Sequence, residues 1–163
     1  EPRVFAGARA DDGVDVVGRW EAIKRAEKSG RGLLDGVPVT MPALARAVAI
    51  GEKAARVGYD WADAQGVRGK IDEELAELDA AGSPEAEERE LGDLLFAIAS
   101  YARKRGHDPE AALRRALGRF TARMSAVERA AAADGVALEA LDADALDQLW
   151  QRAKAQTGGR DQR

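Results

Sequence analysis

Apolar side chains recur along this chain with the three-to-four-residue spacing of an amphipathic helix. Val16, Val17, Trp20 and Ile23 follow that spacing and predict a first helix that ends near Lys28. Five further helices are predicted, over about residues 42–57, 67–80 and 84–105, from 109 to beyond 127, and from 143 to beyond 150. Residues 59–66, YDWADAQG, are interpreted as a connector between the second and third helices.

A few polar residues, glycines and prolines mark where these helices start and stop. Thr40 is expected to cap the second helix, with Pro42 in its first turn. Ser83–Pro84 supplies a cap and a first-turn proline for the fourth helix, and Gly106 is expected to end it. Asp108–Pro109 repeats the start signal for the fifth helix. The connections among the third, fourth and fifth helices are short, so we expect them to pack as antiparallel neighbours.

A single all-α domain is the fold that these elements predict. The sequence contains no internal repeat and no convincing strand, and its low aromatic content of 5% favours helix over sheet. We expect an antiparallel helix bundle over residues 14–156, an irregular lead-in over 1–13 and a flexible tail over 157–163. A length of 163 residues suits one hydrophobic core.

The composition narrows the classes of partner. A net charge of −4 argues against a nucleic-acid polymer, whose binding depends on clustered Lys and Arg. No apolar run is long enough to predict a membrane-spanning helix, and the absence of Cys excludes disulfides. We therefore expect a cytoplasmic protein without a membrane partner. Because the chain begins with Glu1 rather than Met, we also expect it to be a fragment of a longer protein.

Five carboxylates on the third and fourth predicted helices are spaced so that those on each helix lie on one face of it. Glu73, Glu74 and Glu77 fall within an arc of about 100° on a helical wheel. Glu90 and Asp93 have the i, i+3 spacing of neighbours on one helix face. Because only a short turn separates the two helices, the two acidic faces can meet.

Carboxylates that face each other need a counter-charge. One close pair costs about 4 kcal/mol at 4 Å and an effective dielectric constant of 20, and a divalent cation reverses the sign of that energy. Carboxylate oxygens are the ligands that Mg²⁺ prefers. The predicted ligands are Glu74, Glu77, Glu90 and Asp93. On spacing alone, an equally good interpretation is a pair of acid-rich surface helices, and we interpret Glu85, Glu87 and Glu88 as surface acids at a helix start.

Beyond Glu90 and Asp93, the same helix face begins with small residues. The face continues through Ala97 and Tyr101, with Ser100 to one side, whereas a solvated face would stay polar. The centre of the apolar stripe lies roughly 120° from the acidic pair. That stripe consists of Leu91, Leu94, Leu95 and Ile98. We expect the flank of small residues to face another element.

Together with this acidic motif, several longer segments resemble the MazG family of nucleoside triphosphate pyrophosphohydrolases, specifically its C-terminal catalytic half. The segments are RWEAIKRAEK, MPALARAVAIGEKAARVGYDW, LGDLLFAIASYARKRGHDPEAALRRALGRFTARMSAVE and LDQLWQRAK. The resemblance covers nearly the whole chain, from EPRVF to Lys154. The combination of these segments with the acidic motif is specific for the family, whereas an E-E-x-x-E motif alone would indicate it only weakly.

The resemblance implies an all-α homodimer that hydrolyses nucleoside triphosphates to the monophosphate and pyrophosphate, with the active site near the dimer interface. It implies Mg²⁺ as cofactor, with Mn²⁺ as a substitute, and a role in cleaning the nucleotide pool. The same four metal ligands follow from it, and Glu73 and Glu74 become catalytic candidates. Substrate-binding positions fall on Lys70, Arg119, Arg123, Trp150 and Lys154.

Each of these assignments has a simpler alternative. Arg119 and Arg123 can form an ordinary basic helix face, Lys70 can be a plain i, i+4 partner of Glu74, and Trp150 can be a core aromatic. Two other functions also fit. One is a deoxynucleoside triphosphate pyrophosphatase with narrow specificity, for dUTP or for damaged nucleotides, and the other is a non-catalytic helical dimer that binds metal and nucleotide. The chain departs from the family pattern at Arg89, Ser100 and Leu117, which puts the nucleotide contacts in more doubt than the metal ligands.

Overall fold

The structure, a computed structural model, describes Gly30 and residues 32–158. The first predicted helix and the lead-in lie outside the described residues, as does the tail beyond 158. The described residues form five α-helices and one 3₁₀ turn, and they contain no strand. These are α1 (Ala43–Arg56), α2 (Ala64–Ala80), α3 (Pro84–Lys104), α4 (Pro109–Ala133), the 3₁₀ turn Leu138–Ala140 and α5 (Ala143–Gly158). The prediction of an all-α fold is confirmed.

Two helix starts differ from the prediction. The cap of α1 is Pro42, which makes no side-chain hydrogen bond, so the prediction of a Thr40 cap was wrong. Pro42 takes that position because its carbonyl accepts the first helical bond, from the Arg46 amide at 2.9 Å, and a cap position needs no N–H donor. Helix α2 begins three residues before the predicted Val67, since the Asp63 side chain accepts a hydrogen bond from the Gly66 amide at 2.9 Å.

The ends of α3 and the start of α4 follow their local signals. The Ser83 hydroxyl accepts a hydrogen bond from the Ala86 amide at 3.2 Å, with Pro84 in the first turn. Gly106 ends the helix with a φ of 73°, a left-handed conformation that glycine adopts without strain. Helix α4 then begins at Pro109, as predicted. At the other end of the chain, α5 extends through Gly158, two residues into the predicted tail.

The chain divides into two compact units, with the boundary between Glu110 and Ala111. In the first unit, α2 and α3 pack against each other and α1 packs against α3. Residues 81–83 alone join α2 to α3, which makes them the predicted antiparallel hairpin. Among the described residues of this unit, the buried apolar side chains are Val67, Leu94, Ala97 and Ala99. The hairpin therefore places the acidic segment of the sequence on two helices in direct contact.

The second unit has a core of its own. Val127 and Ala131 of α4 pack with Leu149 and Ala153 of α5, and Trp150 lies against this cluster. The predicted single domain over 14–156 includes residues outside the described part of the chain and stays a prediction. None of the helices described here combines the length and the apolar run that crossing a bilayer requires.

Candidate metal centre

Three of the predicted carboxylate ligands converge between α2 and α3. Glu74 of α2 and the pair Glu90 and Asp93 of α3 each offer one oxygen, and these oxygens lie within 4.8 Å of one another. The hairpin explains the convergence, because antiparallel neighbours bring the middle of α2 beside the first turns of α3. A spacing of this size lets one cation contact all three side chains.

Glu74 is the buried member of the group. Only 4% of the residue is exposed, and its Oε2 atom is buried without a hydrogen-bond partner among the described residues. A buried, ionised oxygen without a partner is costly, since it has lost its hydration and gained nothing in return. A divalent cation at this oxygen would remove that cost. The donor set of three carboxylates also suits Mg²⁺ or Mn²⁺, so the residues fit the metal that the resemblance implies.

Lys70 neutralises the other side of the same carboxylate. Its ammonium nitrogen lies 2.5 Å from Oε1 of Glu74 and 3.2 Å from Oε1 of Glu73. Burial lowers the pKa of Lys70, but the hydrogen bonds and charges of Glu74 and Glu73 outweigh it and raise the pKa above its ordinary value. Lys70 therefore remains a cation at the edge of the cluster.

Arg89 contacts a second carboxylate of the group. Its Nη2 and Nε atoms lie 2.8 Å and 3.2 Å from Oε1 of Glu90. The Arg89 side chain is 67% exposed, whereas that of Glu90 is only 14% exposed. Arg89, one of the three positions predicted to depart from the family pattern, thus places an exposed cation directly on a candidate metal ligand.

The remaining predicted acids take different positions. Glu77 and Glu73 are exposed on α2, and neither belongs to the three-carboxylate group. The ligand role of Glu77 and the catalytic role of Glu73 stay predictions. Glu85 and Glu87 are exposed acids in the first turn of α3, and Glu88 follows them on the surface, as their interpretation as surface acids predicted.

The predicted substrate-binding residues other than Lys70 all belong to the second unit. The Arg123 guanidinium lies 6.0 Å from the centroid of the Trp150 ring, and the Phe120 ring lies 5.2 Å from it at an angle of 49°. Trp150 thus has the aromatic and cationic contacts of a packed side chain. Arg119 and Lys154 are exposed. The nucleotide-binding role of these four predicted residues stays a prediction.

A cavity of about 270 Å³ adjoins the acidic group. Lys70, Glu74 and Asp93 form its polar side. The other side was not predicted to be part of a site, and it consists of Tyr59, Asp60, Trp61, Phe96 and Ala97. A signal for it was present, because the YDW segment combines two aromatic rings and an acid in a connector. Loop position alone did not show what the segment faces.

Asp60 attaches this connector to the end of α3. Its carboxylate accepts hydrogen bonds from Arg103 at 2.5 Å and 3.2 Å and pairs with the Lys104 ammonium at 2.6 Å. Burial raises the pKa of Asp60, but the hydrogen bonds and charges of Arg103 and Lys104 outweigh it and hold the pKa below its ordinary value. Gly51 makes room for this arrangement, since a Cβ there would lie 3.0 Å from the Arg103 Nε atom.

The chain is similar to proteins that are named as pyrophosphohydrolases. It is 38% identical over 163 residues to the nucleoside triphosphate pyrophosphohydrolase of Escherichia coli K12, an alignment that covers 95% of this chain and 62% of that protein. It is 42% identical over 138 residues to the Thermotoga maritima protein named nucleoside triphosphate pyrophosphohydrolase/pyrophosphatase MazG, covering 83% of this chain and 54% of the relative.

A third relative is the uncharacterized protein YabN of Bacillus subtilis, at 40% identity over 159 residues, 94% of this chain and 32% of that protein. No family model matches the chain. The chain spans less than two thirds of the length of each of these three relatives, and the similarity extends over most of its own. Identities of 38% and 42% over most of this chain support a protein of the MazG family of nucleoside triphosphate pyrophosphohydrolases.

Proposed function

We propose that this chain hydrolyses nucleoside triphosphates and their deoxy forms to the monophosphate and pyrophosphate, with Mg²⁺ as its metal. The names of the Escherichia coli and Thermotoga maritima relatives support the reaction. The activity is a proposal for this chain because it covers 62% and 54% of those two proteins. A role in removing unwanted nucleotides from the pool, in the cytoplasm, follows as part of the same proposal.

The observation that carries the proposal is the buried Oε2 atom of Glu74. It lies on a side chain whose carboxylate meets those of Glu90 and Asp93 within 4.8 Å, and it has no hydrogen-bond partner among the described residues. An acid-rich surface would leave such an oxygen in water, where it costs nothing. Burial of an unpartnered carboxylate oxygen beside two further carboxylates supports a cation site.

In this proposal, Glu74, Glu90 and Asp93 hold the metal, with Glu77 as a further ligand. When bound, a divalent cation supplies Lewis acidity and neutralises phosphate charge. Water attacks the α-phosphorus, a new P–O bond forms, and the bond to the departing pyrophosphate breaks. Glu73 orients that water and accepts its proton. Lys70, Arg119, Arg123 and Lys154 contact the phosphates, and Trp150 contacts the nucleoside.

A homodimer is part of the proposal. Leu91, Leu95 and Ile98 of α3 lie on one helix face and are 46%, 47% and 42% exposed. Three large apolar side chains in a row on a single face favour burial against a second protein surface. Because the α3 helix also carries Glu90 and Asp93, a second copy at this face would lie beside the metal centre.

The experiment that tests the function is a panel of ribo- and deoxynucleoside triphosphates, incubated with and without Mg²⁺, in which released pyrophosphate and orthophosphate are measured separately. We expect pyrophosphate as the first product, only with Mg²⁺, from several bases. Turnover confined to one deoxynucleoside triphosphate would favour a pyrophosphatase with narrow substrate specificity. Orthophosphate as the first product would refute the proposal, and binding without any turnover would favour the non-catalytic dimer.

Glu74→Gln is the matched variant for this panel, with Asp79→Asn as its control. Both changes remove one charge from α2, but Asp79 is exposed and lies outside the three-carboxylate group. We expect Glu74→Gln to abolish Mg²⁺-dependent turnover while the helical circular dichroism signal is unchanged, and Asp79→Asn to retain turnover. Full activity of Glu74→Gln would remove the metal centre from the proposal.

A further inference from the structure

Arg89 reaches Glu90 although the two residues are adjacent in the sequence. Neighbouring residues of an α-helix leave it about 100° apart, so their side chains do not normally face each other. The Arg89 Nη2 and Nε atoms nevertheless lie 2.8 Å and 3.2 Å from Oε1 of Glu90. The guanidinium therefore bends around α3 toward one of the three carboxylates that converge there.

The contact between Arg89 and Glu90 is a weak one. Both nitrogen atoms contact the same carboxylate oxygen, whereas the strongest Arg–carboxylate pairs use both oxygens. The Arg89 side chain is 67% exposed, so water and salt screen the attraction. Exposed ion pairs of this kind contribute little to stability. The guanidinium can therefore change its partner at little cost.

The charges around Glu74 indicate when such a change would occur. Three carboxylates, the Lys70 ammonium and one divalent cation together carry no net charge. With that cation bound, Glu90 no longer needs the positive charge of Arg89, which becomes a surplus charge at the edge of the centre. A surplus cation at this place attracts an anion.

We propose that Arg89 is a phosphate-binding residue for the substrate, which exchanges Glu90 for the triphosphate when the carboxylates hold a divalent cation. This inference rests on the proposed function, in which the triphosphate binds beside that cation. A planar guanidinium can donate two parallel hydrogen bonds to phosphate oxygens, a geometry that the single Glu90 oxygen does not offer. Arg89 therefore opposes the binding of metal alone and favours the binding of substrate to the metal-loaded protein.

The test measures two dissociation constants by calorimetry for the wild type, Arg89→Gln and Arg89→Lys. One is that of Mn²⁺ alone. The other, measured in excess Mg²⁺, is that of a nucleoside triphosphate analogue with a methylene group in place of the α–β bridging oxygen. We expect Arg89→Gln to bind Mn²⁺ about fivefold more tightly. It should bind the analogue about tenfold more weakly, on the scale of hydrogen bonds to charged groups. Arg89→Lys keeps the charge without the planar donors, and its loss of analogue affinity should be only about threefold.

Arg105→Gln is the matched control, because it removes the same charge from an exposed residue at the C-terminal cap of α3. It should leave both dissociation constants unchanged. The inference is overturned if Arg89→Gln binds the analogue as tightly as the wild type, or if Arg105→Gln loses as much affinity for it. It is also overturned if Arg89→Gln binds Mn²⁺ no more tightly than the wild type, since Arg89 would then not compete for Glu90.

These outcomes are separate from those of the nucleotide panel. A wild type that releases pyrophosphate, beside an Arg89→Gln variant that binds the analogue normally, keeps the proposed function and loses the inference. A wild type that binds the analogue but releases no pyrophosphate overturns the proposed hydrolysis, and opposite shifts of the two constants in Arg89→Gln would still support the phosphate contact. A wild type that binds neither Mn²⁺ nor the analogue overturns both proposals.

Discussion

The ammonium nitrogen of Lys70 lies 2.5 Å from Oε1 of Glu74, and Oε2 of the same carboxylate is buried without a hydrogen-bond partner among the described residues. The two oxygens of one side chain therefore face different environments. The Lys70 ammonium neutralises Oε1, whereas Oε2 is buried without such a partner in the described part of the chain, on a carboxylate that offers one oxygen within 4.8 Å of oxygens of Glu90 and Asp93. This division leads to a prediction about folding without metal.

Lys70→Met is expected to destabilise the protein most strongly when no metal is present. Removing the partner leaves the buried Glu74 carboxylate without a counter-charge, at a cost of about 3 kcal/mol in unfolding free energy. Mn²⁺ should restore more stability to this variant than it adds to the wild type. The measurement is urea unfolding followed by circular dichroism, with and without Mn²⁺.

Arg68→Met is the control, because Arg68 pairs with Asp72 on the same helix with both side chains about half exposed, and such a pair contributes at most about 1 kcal/mol. An equal effect of metal on wild type and Lys70→Met would contradict the prediction.

Arg89→Gln is expected to tighten metal binding. The Arg89 Nη2 atom lies 2.8 Å from Oε1 of Glu90, so the guanidinium competes with a metal ion for that oxygen. Its removal should lower the dissociation constant of Mn²⁺ by about fivefold. This change corresponds to about 1 kcal/mol, the interaction energy of two unit charges near 4 Å in water. Because Arg89 is exposed, the gain should shrink at high salt. Calorimetric titration at two salt concentrations measures both effects. Arg105→Gln, an equal charge change at the far end of α3, should leave the affinity unchanged, and the prediction fails if the two variants behave alike.

Asp60 should make stability depend on pH in the acid range. Its pKa in the folded protein lies below the ordinary value of 3.8, so its ion pairs stabilise the fold fully above that value and lose their effect as the pH falls through the lowered pKa. Asp60→Asn should therefore cost about 2 kcal/mol at neutral pH. The difference between wild type and variant should be constant above about pH 5 and shrink below the ordinary pKa. Urea unfolding across the pH range tests this, and a difference that grows toward low pH would have the wrong sign.

Leu95→Glu is expected to break the proposed dimer. Leu95 is 47% exposed at the middle of the apolar face of α3, and a charge buried in an interface there would be unpaired. Sedimentation analysis should show twice the monomer mass for the wild type and the monomer mass for the variant. Val39→Glu serves as the control, since Val39 is 76% exposed and lies outside the helices. A wild type that sediments as a monomer would remove the dimer from the proposal.

Local signals were enough to predict the bounds of α3 because Ser83, Pro84 and Gly106 act within one helical turn. The same reasoning failed at α1, where Thr40 was predicted to be the cap and Pro42 to lie in the first turn, whereas Pro42 takes the cap position. The i, i+4 pair of Lys70 with Glu74 was also visible, since helical spacing makes such residues neighbours.

Contacts between distant residues could not be predicted in this way. Asp60 and Arg103 are 43 positions apart, and no period along the chain relates them. The aromatic side of the cavity depends on that contact, so Tyr59 and Trp61 were interpreted only as a connector. Their relation to Glu74 becomes visible once α2 and α3 are packed with the connector attached.

The sequence by itself determined the angles at which side chains leave each helix, because 3.6 residues per turn sets them. Those angles placed Glu74 toward Glu90 and Asp93 across a short turn. Which angle faces a neighbouring helix was decided only by the tertiary structure. In α3 the small residues Ala97 and Ser100 are buried, as the flank beyond Asp93 predicted, whereas Leu91 and Leu95 of the apolar stripe remain exposed. Small side chains allow two helices to approach closely, and α3, which packs against both α1 and α2, buries these two small residues.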